Sequence, residues 1–298
     1  MDILLSVGSV YLFIILGFFA KKKLKDELQE KSLVVLSIYF LQPMLTFWGL
    51  STKKIDLTLL QAPFLYLFIS ILCILISFFV ARIFFEDRKE RSITTIASII
   101  GNTGNLGIPL GIALFGEGSI IYTSLINVAN IFLIYTLGVF FYSRGNFNLT
   151  DSIKNIFKLP LIWFAALALL CNYFDISIHP SLFISLQMGA YASMVLQLLI
   201  FGMYMYSTKL KQTNKRLLRA MFGIKFFLIP LISASVLYLF GLDRYVFSII
   251  LLELIVPLAV TNVNIAALYD CKPLDVTALV FFSSIAFIPY IVLLRYFL

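Results

Sequence analysis

Ten apolar stretches of 15 to 24 residues follow one another along this chain, divided by short charged connectors. That alternation limits the fold more than any other feature. A helix that crosses a bilayer needs ~20 mostly apolar residues. The stretches run Ile3–Ala20, Leu33–Leu50, Pro63–Val80, Ile93–Phe115, Ile120–Tyr142, Leu159–Tyr173, Leu182–Met205, Leu217–Phe240, Tyr245–Leu268 and Val276–Tyr296. Apolar residues make up 61% of the chain and charged residues 13%, against ~45–50% and ~25% in a soluble domain. One buried core cannot use that much apolar surface. The pattern predicts an all-α polytopic membrane protein with ten transmembrane helices, and it excludes the soluble enzyme classes.

The cations set the orientation, because Lys and Arg concentrate in cytoplasmic loops. Eighteen of the 23 lie in the odd-numbered connectors, among them Lys21 to Lys31, Arg82 to Arg91, Arg144 to Lys158 and Lys209 to Arg219. The even-numbered side holds Lys53, Lys54, Arg244 and Arg295, and Lys225 lies inside a stretch. The odd connectors are therefore expected in the cytoplasm, with both termini extracytoplasmic. The net charge of +8 then reflects topology rather than nucleic-acid binding. The first stretch has Asp2 before it and Lys21 to Lys23 after it, the reverse of a signal peptide. It reads as a retained helix. Cys73, Cys171, Cys271 and the lone His179 show no metal-ligand spacing, and no cofactor is expected.

Within the fourth stretch, Ile100 to Leu110 holds Gly101, Gly104, Gly107 and Pro109, with Asn102, Thr103 and Asn105 among them. In lipid, a broken backbone survives only where protein or a water-filled cavity satisfies its freed amides and carbonyls. The glycines alone also suit a small-residue helix contact. The asparagines and Pro109 favour an interrupted, substrate-lining segment. The ninth stretch carries a second interruption, Val256 to Asn264, with Pro257, Thr261, Asn262 and Asn264. The long basic connector after the fifth stretch leaves five stretches on each side, roughly residues 1–150 and 151–298. An odd number per half forces opposite orientations, as in inverted-repeat transporters. Interrupted segments at equivalent positions of two such halves point to a substrate site, and helix N-termini there suit an anion.

Asn127 and Asn130 share a helical side in the fifth stretch. They serve either interhelical hydrogen bonds or the same cavity. Lys225 and Glu253 are the ionisable residues well inside stretches. Each lies ~12 Å deep from opposite faces, within ~6 Å of the other in depth. Two readings stay open: a fixed ion pair joining two helices, or a protonatable Glu253 that couples transport to an ion.

These motifs resemble the auxin efflux carrier family, comprising plant PIN-type carriers and bacterial malate permease-like proteins. The resemblance lies in Asn102-Thr103 with Gly107-Ile108-Pro109-Leu110 and Gly116, in Glu253 through Pro257 to Ala266 and Tyr269, in Lys225-Phe226 with Pro230, and in Pro289. It covers all ten stretches. Plant members usually have Gln at Glu253 and a second proline at Asn262, which implies a different local charge and a less sharply broken ninth helix. The family implies that helices four and nine unwind and cross near the bilayer centre. It further implies a scaffold of spans 1, 2, 6 and 7 and a mobile unit of spans 3–5 and 8–10 that moves as an elevator. Asn102 and the backbone around Pro109 and Pro257 would line the site, with Asn262 at the missing proline.

The reading is a secondary transporter of small organic anions, mono- or dicarboxylates, in the plasma membrane. H⁺ or Na⁺ coupling and a homodimer both stay open. A bile-acid-type sodium symporter is the first rival and a non-transporting membrane sensor the second. A membrane enzyme lacks a nucleophile–base or metal constellation. The orientation has a direct check. In a cysteine-free background, an impermeant maleimide should label Lys53→Cys on intact cells and Lys89→Cys only after permeabilisation; the opposite pattern would invert the topology.

Overall fold

The computed structural model describes residues 3–143, 154–207 and 213–293. Asp2, Arg144, Lys209, Lys211 and Arg295, used above for orientation, lie outside the described residues. Among the described residues the elements are helical, with an isolated bridge in place of any strand. In chain order they are α1 (Ile3–Leu24), α2 (Glu30–Ser51), α3 (Leu57–Phe84), α4 (Arg88–Ile96), α5 (Thr103–Phe115), α6 (Glu117–Tyr142), α7 (Pro160–Tyr173), α8 (Pro180–Ser207), α9 (Lys215–Leu239), α10 (Arg244–Ile255), α11 (Thr261–Leu268) and α12 (Pro273–Leu293).

Seven of these, α1, α2, α3, α6, α8, α9 and α12, are long and apolar enough to cross a membrane. α7 has 14 residues, or ~21 Å at ~1.5 Å per residue. The fourth and ninth apolar stretches each fold as two shorter helices, α4–α5 and α10–α11. Sequence explains where they start and stop. Asp87 and Asp243 cap α4 and α10 by accepting amide hydrogen bonds from Lys89 and Tyr245. α10 ends at Val256, whose φ/ψ of −49°/149° is the extended form imposed on a residue before proline.

The helices fall into two packed groups. α1, α2, α7 and α8 pack mainly on one another, while α3 to α6 pack with α9 to α12. α1 and α8 approach closely along their backbones. A Cβ on Gly202 would overlap the Ile14 carbonyl, and one on Gly17 would overlap that of Leu199. Bare Cα atoms let the two helices touch along their backbones, where close van der Waals packing replaces the hydrophobic effect that lipid removes.

At one end of the second group, Lys272 bridges Asp87 at 2.8 Å and Glu90 at 2.6 Å, and Lys89 bridges Asp270 at 2.7 Å. The hydrogen bond from Lys272 holds the Asp87 carboxyl below the usual carboxylate range. These pairs tie the turn before α4 to the turn after α11, so the outer ends of both interrupted pairs are joined.

Gly202→Leu should separate α1 from α8, and overpacking of this kind costs about 1–3 kcal/mol. Thermal unfolding in detergent should show a clearly lowered midpoint, and an unchanged midpoint would refute the backbone contact.

Candidate functional site

The two interruptions meet. Gly101 and Leu258 form an antiparallel bridge. The Asn102 amide donates to the Pro257 carbonyl at 2.8 Å, and the Ala259 amide donates to the Ile100 carbonyl at 3.0 Å. Each interruption thus satisfies backbone groups that the other exposes. Beyond the bridge, α5 opens with a π-turn over Thr103–Gly107 in which the Leu106 and Gly107 amides both reach the Asn102 carbonyl. No described hydrogen bond takes the amides of Thr103, Gly104 or Asn105, as expected at a helix N-terminus.

Two buried asparagines hold this crossing from either side. Asn262 Nδ2 donates to the Ile100 carbonyl at 3.0 Å and to that of Ala259 at 3.1 Å, and its Oδ1 accepts from the Tyr142 hydroxyl at 2.9 Å. Asn130 Nδ2 donates to the Gly101 carbonyl at 3.0 Å and to Thr103 Oγ1 at 2.9 Å, while its Oδ1 accepts from the Tyr66 hydroxyl at 3.0 Å. Each asparagine takes backbone carbonyls of the interruptions themselves, and each is oriented by a buried tyrosine. The chain continues from Thr103 Oγ1 to Asn127 Oδ1 at 3.0 Å. The ninth segment is therefore fully interrupted with one proline, contrary to the expectation of a softer break. Asn262 does by hydrogen bonding what a second proline would do by removing a donor.

A cavity of about 160 Å³ lies against the crossing. Of the predicted residues, Asn102, Thr103, Asn105, Asn127, Asn130, Thr261 and Asn264 line it. Pro109, Pro257 and Asn262 are buried but are not part of the lining. Asn102 is 4% exposed and its Nδ2, buried beside the cavity, has no partner. The opposite wall comes from α2 and α8, including Gln42, Thr46, Gln197, Phe201 and Tyr204. Gln42 reaches across to Asn105 Oδ1 at 3.4 Å. Gln42 and Gln197 were missed by sequence reasoning. Their signal was an uncharged amide inside an apolar stretch, the same that marked Asn127. No described lining residue is ionisable except by its tyrosine hydroxyl.

The lining continues towards Tyr135 near the end of α6, Leu159 ahead of α7 and Tyr204 near the end of α8, the ends that lead into Lys- and Arg-rich connectors. In the other direction an apolar cluster closes it, including Leu45, Trp48, Ile108, Ile120, Leu186 and Met194. Beyond this layer, Trp48 and Ile120 border a second cavity of about 310 Å³ with Lys53, Glu117 and Gln187.

Of the two readings left open for Lys225 and Glu253, the fixed ion pair does not form. No described salt bridge includes Lys225 or Glu253. The Lys225 ammonium donates to the Leu254 carbonyl at 3.0 Å, in the last turn of α10, where a cation meets both an unpaired carbonyl and the negative helix end. Equal depth in the membrane says nothing about direction around the helix, and Glu253 faces Gly107 instead. A Cβ on Gly107 would overlap the Glu253 carboxyl. Lys225 sits in its own π-turn, Ile224–Leu228.

The model of the membrane transport protein family matches residues 2–156, a range that contains the Asn102 to Leu110 motif. The chain belongs to that family. The family includes the auxin efflux carriers and is one of transporters, not enzymes. No curated protein matches the chain. Family membership makes this a multi-pass membrane transporter, and the crossing is its most unusual local structure.

Asn262→Leu should leave the Tyr142 hydroxyl and the Ile100 and Ala259 carbonyls short of partners, and an unsatisfied buried polar group costs about 1–3 kcal/mol. A lowered unfolding midpoint in detergent is expected, with a smaller fall for Tyr142→Phe. Wild-type stability in Asn262→Leu would remove Asn262 from the crossing.

Proposed function

We propose that this carrier moves small organic anions, mono- or dicarboxylates, across the plasma membrane by elevator-type alternating access. The observation that carries the reading is the cavity at the crossing. Its polar wall is the start of α5, where no described hydrogen bond takes the Thr103, Gly104 and Asn105 amides and the Asn102 side-chain amide lies buried without a partner, while its described lining holds no carboxylate. Donors at a helix N-terminus suit an anion. The other wall, on α2 and α8, sets Ile200 and Phe201 beside the amides of Gln42 and Gln197.

Two further features support the mechanism. The antiparallel meeting of the fourth and ninth segments suits two inverted five-helix halves, and the two packed groups suit a scaffold and a mobile unit. The cavity leads towards the Lys- and Arg-rich side and is closed by the Leu45–Met194 cluster on the other. By the charge rule this is the cytoplasm-facing state. A sodium-coupled symporter has less behind it: Thr261 lines the cavity but Glu253 does not, so acidic and hydroxyl ligands do not converge.

Counterflow in proteoliposomes against labelled benzoate, lactate and succinate tests the reading. Uptake of at least one carboxylate is expected, and Asn102→Ala should lower it tenfold or more without changing the unfolding midpoint. Full activity in Asn102→Ala would displace the site from the crossing. Binding without counterflow would favour a sensor.

A further inference from the structure

Glu253 is the one fully buried carboxylate among the described residues, with 0% exposure. Neither Oε1 nor Oε2 has a hydrogen-bond partner, and no described ion pair contains it. Its carboxyl presses on Gly107, the last residue of the π-turn whose first residues line the cavity. The unpaired acid and the anion site therefore sit at two ends of one five-residue turn.

The surrounding groups do not neutralise it. On α3, the Tyr66 hydroxyl interacts electrostatically with Glu253 but is donated to Asn130. Cys73 on α3 lies near Lys225, and Arg82 stacks over Phe78. On α9, Lys225 is committed to the Leu254 carbonyl, and Tyr238 is 80% exposed. On the packed part of α6, Tyr122 meets Tyr245, and α5 has no ionisable side chain. An ionised Glu253 would be an uncompensated buried charge. It would also place a second negative charge beside the turn whose amides face the anion.

We propose that Glu253 is a proton-binding site coupled to the anion site, so that each anion travels with one proton. The proton comes from water, adds to a carboxylate oxygen and leaves again on release. No other bond changes. With the proton bound, the turn carries one negative charge, that of the substrate; without it, two charges compete. No group of three or more His, Cys, Asp or Glu side chains that could hold a metal ion exists among the described residues. The inference rests on the transport reading of the crossing.

Infrared difference spectra of the purified full chain, wild type against Glu253→Gln, test the site directly. The wild type should show the C=O band of a protonated carboxyl, shifted in heavy water, absent from the variant, lost on alkalinisation and restored by benzoate or succinate. If Glu253→Gln does not fold, the heavy-water shift in the wild type still reads the group, because no other described carboxylate is buried. Carboxylate bands alone at every pH, or loss of the band on adding Na⁺ at fixed pH, would overturn the proposal. In counterflow with the same two probes, apparent affinity should weaken by up to about tenfold per pH unit above the titration and stay flat in Glu253→Gln. Counterflow indifferent to pH overturns the coupling and leaves transport standing. No counterflow with benzoate, lactate or succinate overturns the transport reading and takes the coupling with it, while the infrared band still decides whether Glu253 carries the proton.

Discussion

Two backbone hydrogen bonds, Asn102 to Pro257 and Ile100 to Ala259, are what the rest of the molecule depends on. A helix interrupted in an apolar medium leaves amides and carbonyls with no water to take them, at several kcal/mol each. Neither interruption is tolerable alone. Set antiparallel against each other, they become two residues of sheet inside a helical protein. The asparagines and tyrosines around them complete the set of partners that the bridge leaves open.

The crossing also explains the two buried ionisable residues. A broken helix ends in the middle of the protein, so its last carbonyls and its dipole end there too. Lys225 answers one such end, that of α10. Glu253, one residue earlier on that helix, points the other way, onto the turn that opens α5. The two side chains lie on consecutive helices but serve different halves of the crossing. Lys225 stabilises a helix end, and Glu253 stands beside a helix start.

Polarity is distributed in the same way around the cavity. The interrupted segments supply amide donors, and α2 and α8 supply a largely apolar wall with a few amides. Three of the four π-turns among the described residues, at Ser37–Leu41, Thr103–Gly107 and Ile134–Gly138, contribute to its lining. Extra residues in a helical turn free carbonyls and reposition side chains, and such turns recur at functional sites. Below the cavity, the cluster around Trp48 and Met194 is apolar throughout. A sealed side and an accessible side are what a carrier needs if its site faces one compartment at a time.

Much of this could be read from the chain alone. Long apolar runs with basic connectors specify membrane helices because only the backbone can satisfy itself in lipid. Glycine, proline and asparagine gathered at Gly101 to Pro109 and again at Pro257 to Asn264 mark the interruptions because those residues break helices and bond to loose backbone. The sequence alone also singled out Glu253 and Lys225, since charges are rare in such runs. Which partners these groups take was decided by the tertiary structure. Asn262 was expected to face the substrate and instead bonds the Ile100 and Ala259 carbonyls of the crossing; Lys225, for which a pair with Glu253 was one of two readings, instead caps α10. Period and depth place a residue along an axis, whereas azimuth and the approach of a helix 150 residues away decide what a side chain touches. The Gln42 and Gln197 wall was hidden for the same reason: two isolated amides become a site only when α2 and α8 are folded against the crossing.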